Sequence, residues 1–250
     1  MAGRLAILTF HAIDDQGSPI SFPPELFRRA MGRLHAAGYK TLEPKALARC
    51  LSGEAFPERS FAVTFDDGYQ SVYDQAFPVL QRYGFSATVF LATGENNGVP
   101  GGRRLPSMSG RTMLSWGEIR EMQRCGIEVG AHTQTHADLT RLSDARVEAE
   151  ISGCRRIIED ALGAPPDSFA YPYGRYDVRV REIVRRHFAR AYSDRLGLVG
   201  SKSDIFALER LDAYYLRGKA LVNLLPSGLL PWYVRARNIP RQIRRVALLA

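Results

Sequence analysis

Phe61-Ala62-Val63-Thr64-Phe65-Asp66-Asp67-Gly68 runs a buried-strand pattern straight into two adjacent carboxylates and a glycine. The strand ends there and the chain turns. Other stretches share the pattern: residues 5–10 stop at His11, residues 127–131 stop at His132, and residues 168–171 stop at Pro172-Tyr173-Gly174. Residues 86–92, 189–193 and 206–211 also read as strands. Between them lie helical segments. Residues 24–38 carry Leu26, Phe27, Ala30, Met31 and Leu34 at helical spacing and end at a glycine. Residues 71–83, 115–124, 143–162 (with Ser143 as N-cap) and 177–187 are the other expected helices. Repeated β-α alternation implies parallel strands and right-handed crossovers. The closed solution is a TIM-like barrel with fewer than eight units, and an open doubly wound sheet is the alternative. In a barrel, Asp66, Asp67, His11 and His132 all fall on the C-terminal rim, where catalytic groups collect.

Composition sets outer limits. The chain has 250 residues, 45% hydrophobic and 24% charged, which excludes collagen, a disordered tail and a disulfide-rich mini-protein. Cys50, Cys125 and Cys154 cannot all pair and form no C-x-x-C, so reduced, mostly buried thiols and a reducing compartment are expected. The apolar run at residues 5–10 is too short for a secretory signal, and no stretch approaches a membrane span. A cytoplasmic location, at most at the inner face of the membrane, is the expectation. The net charge of +8 is uneven: residues 214–250 hold seven arginines and lysines and no acid, so residues 1–213 are nearly neutral. With no helix-turn-helix, zinc-finger or RNP pattern in the main body, nucleic acid is not expected as a partner.

The chemistry sits in three motifs. Two adjacent aspartates at a partly buried rim need a cation, or one must be protonated; the plainer reading is an Asx-type turn. His132-Thr133-Gln134-Thr135-His136 places histidines four apart, which on a helical turn point the same way and can hold one metal. The plainer reading is two surface histidines at a helix start. With Asp67 they make a two-His, one-carboxylate set that leaves metal positions open for water and substrate. Non-haem iron oxygenases use the same ligand types. The third motif, Phe169-Ala170-Tyr171-Pro172-Tyr173-Gly174, can aim a backbone N–H at a substrate oxygen.

Residues 64–68 resemble the T-F-D-D-G motif of the polysaccharide deacetylases, carbohydrate esterase family four. Residues 132–136 are similar to that family's H-[S/T]-x-x-H motif, and residues 169–174 to its aromatic-Pro-aromatic-Gly motif. The resemblance covers roughly residues 5–212. It implies a distorted, seven-stranded TIM-like (β/α) barrel and metal-dependent hydrolysis of N-acetyl groups on amino sugars in a polysaccharide, oligosaccharide or lipid-linked glycan. Carried over, Asp66 becomes the general base, and Asp67, His132 and His136 bind one divalent ion: zinc first, with cobalt, nickel or iron open. The Tyr173 N–H becomes an oxyanion donor.

Two departures stand out. Many members supply the general acid from a histidine late in the chain, and none follows His187 here. His11, directly after the first strand, resembles the version in which the acid lies early, as in biofilm poly-N-acetylglucosamine deacetylases. Its alternative is a strand-end histidine bonded to backbone. Many members also place an arginine where Ala170 stands, to pair with the base. Arg210 on the last strand could supply that cation, or serve in an ordinary ion pair. The competing functions are hydrolysis of a non-sugar amide on the same fold and a non-catalytic carbohydrate- or lipid-binding barrel. A groove lined by Trp116, Tyr171, Tyr173 and Tyr176 would favour sugar, and residues 94–111 are long enough for a lid.

The chain thus divides into a barrel, residues 1–213, and a basic apolar extension, residues 214–250. In the extension, Trp232 and Tyr233 lie beside leucines and between arginines, a composition that suits a membrane interface. Beyond Pro240, Ile243, Val246 and Ala250 share one helical face, with Arg241, Arg244 and Arg245 opposite. Peripheral contact with an anionic membrane and simple packing on the barrel are both open expectations.

Overall fold

The computed structural model describes residues 3–94, 104–106, 108–218 and 221–247. Its strands are β1 (Arg4–Phe10), β2 (Lys40–Thr41), β3 (Ser60–Phe65), β4 (Thr88–Leu91), β5 (Glu128–Ala131), β6 (Ser168–Ala170), β7 (Arg190–Leu196), β8 (Val199–Gly200) and β9 (Leu208–Asp212). Its helices are α1 (Pro24–Ala36), α2 (Pro44–Leu51), α3 (Phe77–Tyr83), α4 (Trp116–Arg124), α5 (Asp144–Leu162), α6 (Val178–His187) and α7 (Leu230–Ala247). Seven strands close a parallel barrel in the order β1-β3-β4-β5-β6-β7-β9, with β9 pairing back onto β1. The open-sheet alternative is thereby excluded. The short β2 extends the sheet beside β3, and β8 pairs antiparallel with the start of β1.

Side chains alternate across each strand, and the two faces have different jobs. Outward residues such as Leu8, Phe10, Val63, Phe65, Val89 and Leu211 join the helices in one large apolar cluster. Inward residues Leu5, Ile7, Phe90, Ala170, Tyr192 and Leu208 fill the barrel in a second, smaller cluster. Gly130 is what admits the Phe90 ring there, since a Cβ would stand 2.4 Å from it. Below this plug, the Glu128 carboxylate accepts hydrogen bonds from Thr88, Ser168 and Arg190. Above it, the inward columns continue from Ile7 to Thr9 and His11, from Thr64 to Asp66, and from Leu208 to Arg210 and Asp212. Period two therefore lifts the polar side chains of several strands onto one rim.

Several local readings change. Residues 71–83 are one helical stretch, but it opens with a π-helical turn, Val72–Ala76. Ser115 and Glu118 form a reciprocal capping box at α4. Ser143 occupies the N-cap position of α5, yet its side chain makes no capping hydrogen bond. The strands β2 and β8 and the helix α2 were absent from the sequence reading. Two-residue strands carry too little pattern to register. Cys50 and Cys154 are buried, and all three thiols are free. Residues 95–103 and 107, most of the loop proposed as a lid, lie outside the described residues. Among the described residues no helix is long and apolar enough to cross a membrane.

Candidate active site

Six of the expected side chains, His11, Asp66, Asp67, His132, His136 and Arg210, converge where the strands end. Asp66 follows β3 and is 3% exposed; Arg210, from β9, is 4% exposed. They form a two-pronged pair, Nη1 to Oδ1 at 2.7 Å and Nη2 to Oδ2 at 2.8 Å. Arg210 is aimed by the Ser193 carbonyl, which accepts from its Nε at 2.8 Å. The cation that Ala170 does not provide thus comes from β9, two strands from β6 around the barrel. His11, at the end of β1, places Nε2 3.9 Å from Asp66 Oδ2.

Asp67 turns away from this pair, because its backbone is left-handed, φ 74°. Its Oδ1 lies 3.4 Å from His132 Nε2 and 3.3 Å from His136 Nε2. The three donor atoms lie within 4.8 Å of one another. Nδ1 of His132 donates to the Ala170 carbonyl at 2.7 Å, which fixes the tautomer and turns Nε2 toward Asp67. Oδ1 of Asp67 is buried and has no hydrogen-bond partner among the described residues. An orphaned carboxylate oxygen between two imidazole nitrogens is a donor set with room for a cation. These residues fit a divalent metal.

The histidines are not on a helical turn, as the spacing suggested. Residues 132–136 form a loop, with Thr133 at φ 68° and His136 at φ 56°. Positive φ is costly for any non-glycine residue, and most of all for a β-branched one. Glu150 of α5 holds the loop in shape. Its buried carboxylate accepts from the N–H groups of Gln134 and Thr135 and from the Thr135 hydroxyl. Those bonds replace the ones a helix would make.

Charge balance follows from this packing. Burial pushes the Asp66 carboxyl up, but the Arg210 charge outweighs it and holds the group below the usual carboxylate range. Burial is likewise overcome at Asp67, by the adjacent His132, and its carboxyl is also lowered. His132 feels the same burial and is raised by Asp67. His136 is lowered to about 4, by burial and by the neighbouring His132 charge. His136 is therefore neutral at pH 7, the state a metal requires.

The expected oxyanion turn lies beside these groups. Tyr173 is left-handed, φ 57°, and the turn's own bonds use the N–H groups of Gly174 and Arg175. Gly174 is required: its φ is +62°, and a Cβ would stand 2.2 Å from that of Asp194. The site is a cavity of about 230 Å³ that also takes in Thr9, Ile20, Asp194 and Asp212. The aromatic groove is not as expected. Tyr173 is 56% exposed and lines the cavity, but Trp116 and Tyr171 are buried and Tyr176 stacks on Tyr171. Only one of the four rings is presented at this cavity.

A family model for polysaccharide deacetylases matches residues 53–192, more than half of the chain. The chain belongs to the polysaccharide deacetylase family. It is 28% identical over 210 residues to YxkH of Bacillus subtilis (strain 168), an alignment covering 83% of this chain and 71% of that protein. It is 27% identical over 128 residues to the poly-beta-1,6-N-acetyl-D-glucosamine N-deacetylase of Staphylococcus aureus, covering 48% of this chain and 42% of the relative. This chain therefore aligns with under half of that relative's length. Among solved structures, the Streptococcus pyogenes deacetylase PplD, determined with acetate, superposes with a TM-score of 0.76 at 24% identity, covering 92% of this chain and 98% of the other. The last comparison shows a shared barrel.

Three residues at or beside this site escaped the sequence reading. Glu150 falls on the apolar stripe of α5, with Val147, Ile151 and Cys154, and a carboxylate in a buried stripe is a legible signal. Asp194 and Asp212 extend the inward columns of β7 and β9 by one step of two.

Proposed function

We propose that the protein hydrolyses the N-acetyl group of an N-acetylated amino sugar in a glycan, with a divalent ion, zinc first, held by Asp67, His132 and His136. The observation that carries this is one small cavity lined by an Arg-paired carboxylate, a second carboxylate with two histidines, and His11. A divalent ion bound there supplies Lewis acidity that makes water a nucleophile near neutral pH and polarises a carbonyl.

The chain's own groups complete the reaction. Asp66 stays ionised beside Arg210 and accepts the proton of the attacking water. The water oxygen bonds to the acetyl carbon. The Tyr173 N–H donates to the carbonyl oxygen as it gains charge. The C–N bond breaks as His11 Nε2 gives its proton to the departing nitrogen, leaving acetate and a free amine. The test is acetate release from N-acetylglucosamine oligomers, with and without a chelator, and with zinc, cobalt, nickel and iron added back singly. No acetate with any metal rejects the proposal. Release that chelation does not affect rejects the metal site.

A further inference from the structure

We propose that α7 binds the surface of an anionic lipid bilayer through an exposed apolar stripe bordered by Arg235, on a segment whose charged residues are all basic. The helix has two apolar faces. One is used: Leu230 and Val234 are buried in the main core, the Tyr233 hydroxyl donates to the Tyr215 carbonyl at 2.7 Å, and Asn238 Nδ2 donates to the Leu196 carbonyl at 2.7 Å. Arg237 adds a clamp, its guanidinium 5.5 Å from the rings of Tyr215 and Tyr233. These contacts fix the helix rotation.

The other face makes no such contact among the described residues. Leu229 is 62% exposed and Trp232 is 69% exposed. At 100° per residue, Leu229, Trp232 and Ala236 lie within an arc of about 60°, roughly opposite Leu230 and Val234. The fixed rotation means the stripe cannot be hidden by rolling the helix. Large apolar side chains held in water mark a contact surface. The sequence repeats the spacing toward the C-terminus with Ile239, Ile243 and Val246.

Charge selects the partner. No acidic residue follows Asp212, whereas α7 alone contains five arginines. A leaflet of anionic lipid offers both complements at once: negative headgroups for arginine, and an interfacial layer that accepts Trp and Leu. A soluble polyanion would engage the arginines and leave Leu229 and Trp232 in water. The location also fits. Asp212, from which this segment departs, lines the cavity, and Leu196 lies two residues beyond Asp194, which lines it as well. The proposal places α7 and the mouth of the site on a common surface, where a glycan carried by a lipid would be presented.

The experiment uses the full chain and vesicles of phosphatidylcholine with or without phosphatidylglycerol. Co-sedimentation is expected only with the anionic vesicles and should be lost at about 0.5 M salt, where screening is nearly complete. The emission of Trp232, taken as the difference between the protein and Trp232→Phe, should shift to the blue on binding. Arg235→Gln should weaken binding about fivefold. Leu229→Ser with Trp232→Ser should weaken it about tenfold or more. These exposed positions leave the site untouched, so acetate release from soluble oligomers should be unchanged in both variants. Absence of vesicle binding overturns the proposal, as does equal binding to neutral vesicles. Salt-sensitive binding that survives Leu229→Ser with Trp232→Ser also overturns it, since it marks a general polyanion site. Every binding outcome is independent of whether the protein deacetylates a sugar.

Discussion

Replacing Arg210 by Met removes the counter-charge from Asp66 while keeping most of the side chain's length. The carboxylate loses hydrogen bonds of 2.7 and 2.8 Å and stays in a place where burial alone pushes its pKa up. Breaking one side of a buried pair costs about 3–5 kcal/mol. Asp66 can avoid part of that cost by taking a proton, so the loss depends on pH. In the native protein the folded pKa lies below the unfolded value of ~3.9, so the pair stabilises the fold above that value and its contribution is lost as pH falls through the folded pKa. In Arg210→Met the folded pKa moves above ~3.9, and the variant is penalised as pH rises past it. The full penalty, about 3–5 kcal/mol, is therefore reached only toward neutral pH, where the unpaired carboxylate must be ionised. Urea unfolding of the metal-free proteins between about pH 4 and pH 8 reads this directly. The stability gap should widen steadily from acid to neutral. The acid limb of kcat/KM should move up in pH as well, and Arg210→Lys should restore part of both effects. A gap below ~1 kcal/mol at neutral pH, or one that does not change with pH, refutes the reasoning.

Four other outcomes are expected. His132→Ala should abolish bound metal by elemental analysis; full occupancy in the variant rejects the ligand assignment. Asp66→Asn should keep its metal and lose roughly 10²–10⁴ in turnover, as removal of a general base does; turnover near that of the native protein would assign the base elsewhere. His11→Ala should remove the alkaline limb of the pH–rate profile, and an intact limb would show that another group protonates the amine. Glu150→Gln keeps the shape but not the charge that three donors share, so it should cost about 1–3 kcal/mol by unfolding and weaken metal affinity about 10–100-fold by chelator competition. Unchanged affinity would mean that the histidine loop holds its own shape.

The rim was legible because period two is a strong signal. An apolar run that ends at Asp66-Asp67, His11 or His132 states both the strand and the end at which the side chain emerges. Arg210 was reachable by the same step from Leu208, although nothing local named its partner, which lies 144 positions away. The loop at residues 132–136 was misread as a helical turn because its shape is imposed by a carboxylate on a distant helix. Spacing alone carries no such information. The aromatic rings were misplaced for a related reason. A position just past a strand says that a residue is near the rim but not whether it faces the cavity or the helices. Tyr171, one residue before the turn, points into the apolar layer, whereas Tyr173, after Pro172, points out.

Closure has a further consequence for how such chains are compared. The first strand lies between β3 and β9, so His11 and Arg210 stand on neighbouring staves although almost the whole chain separates them. A ring has no first member. A proton donor borne late in one chain and early in another can occupy nearly the same place around the mouth, because transferring it from last stave to first is one step around the circle. Alignment by chain order registers that as a lost residue and an unrelated gain. Ordering residues by angle around the barrel axis registers it as the same part, delivered from the adjacent strand.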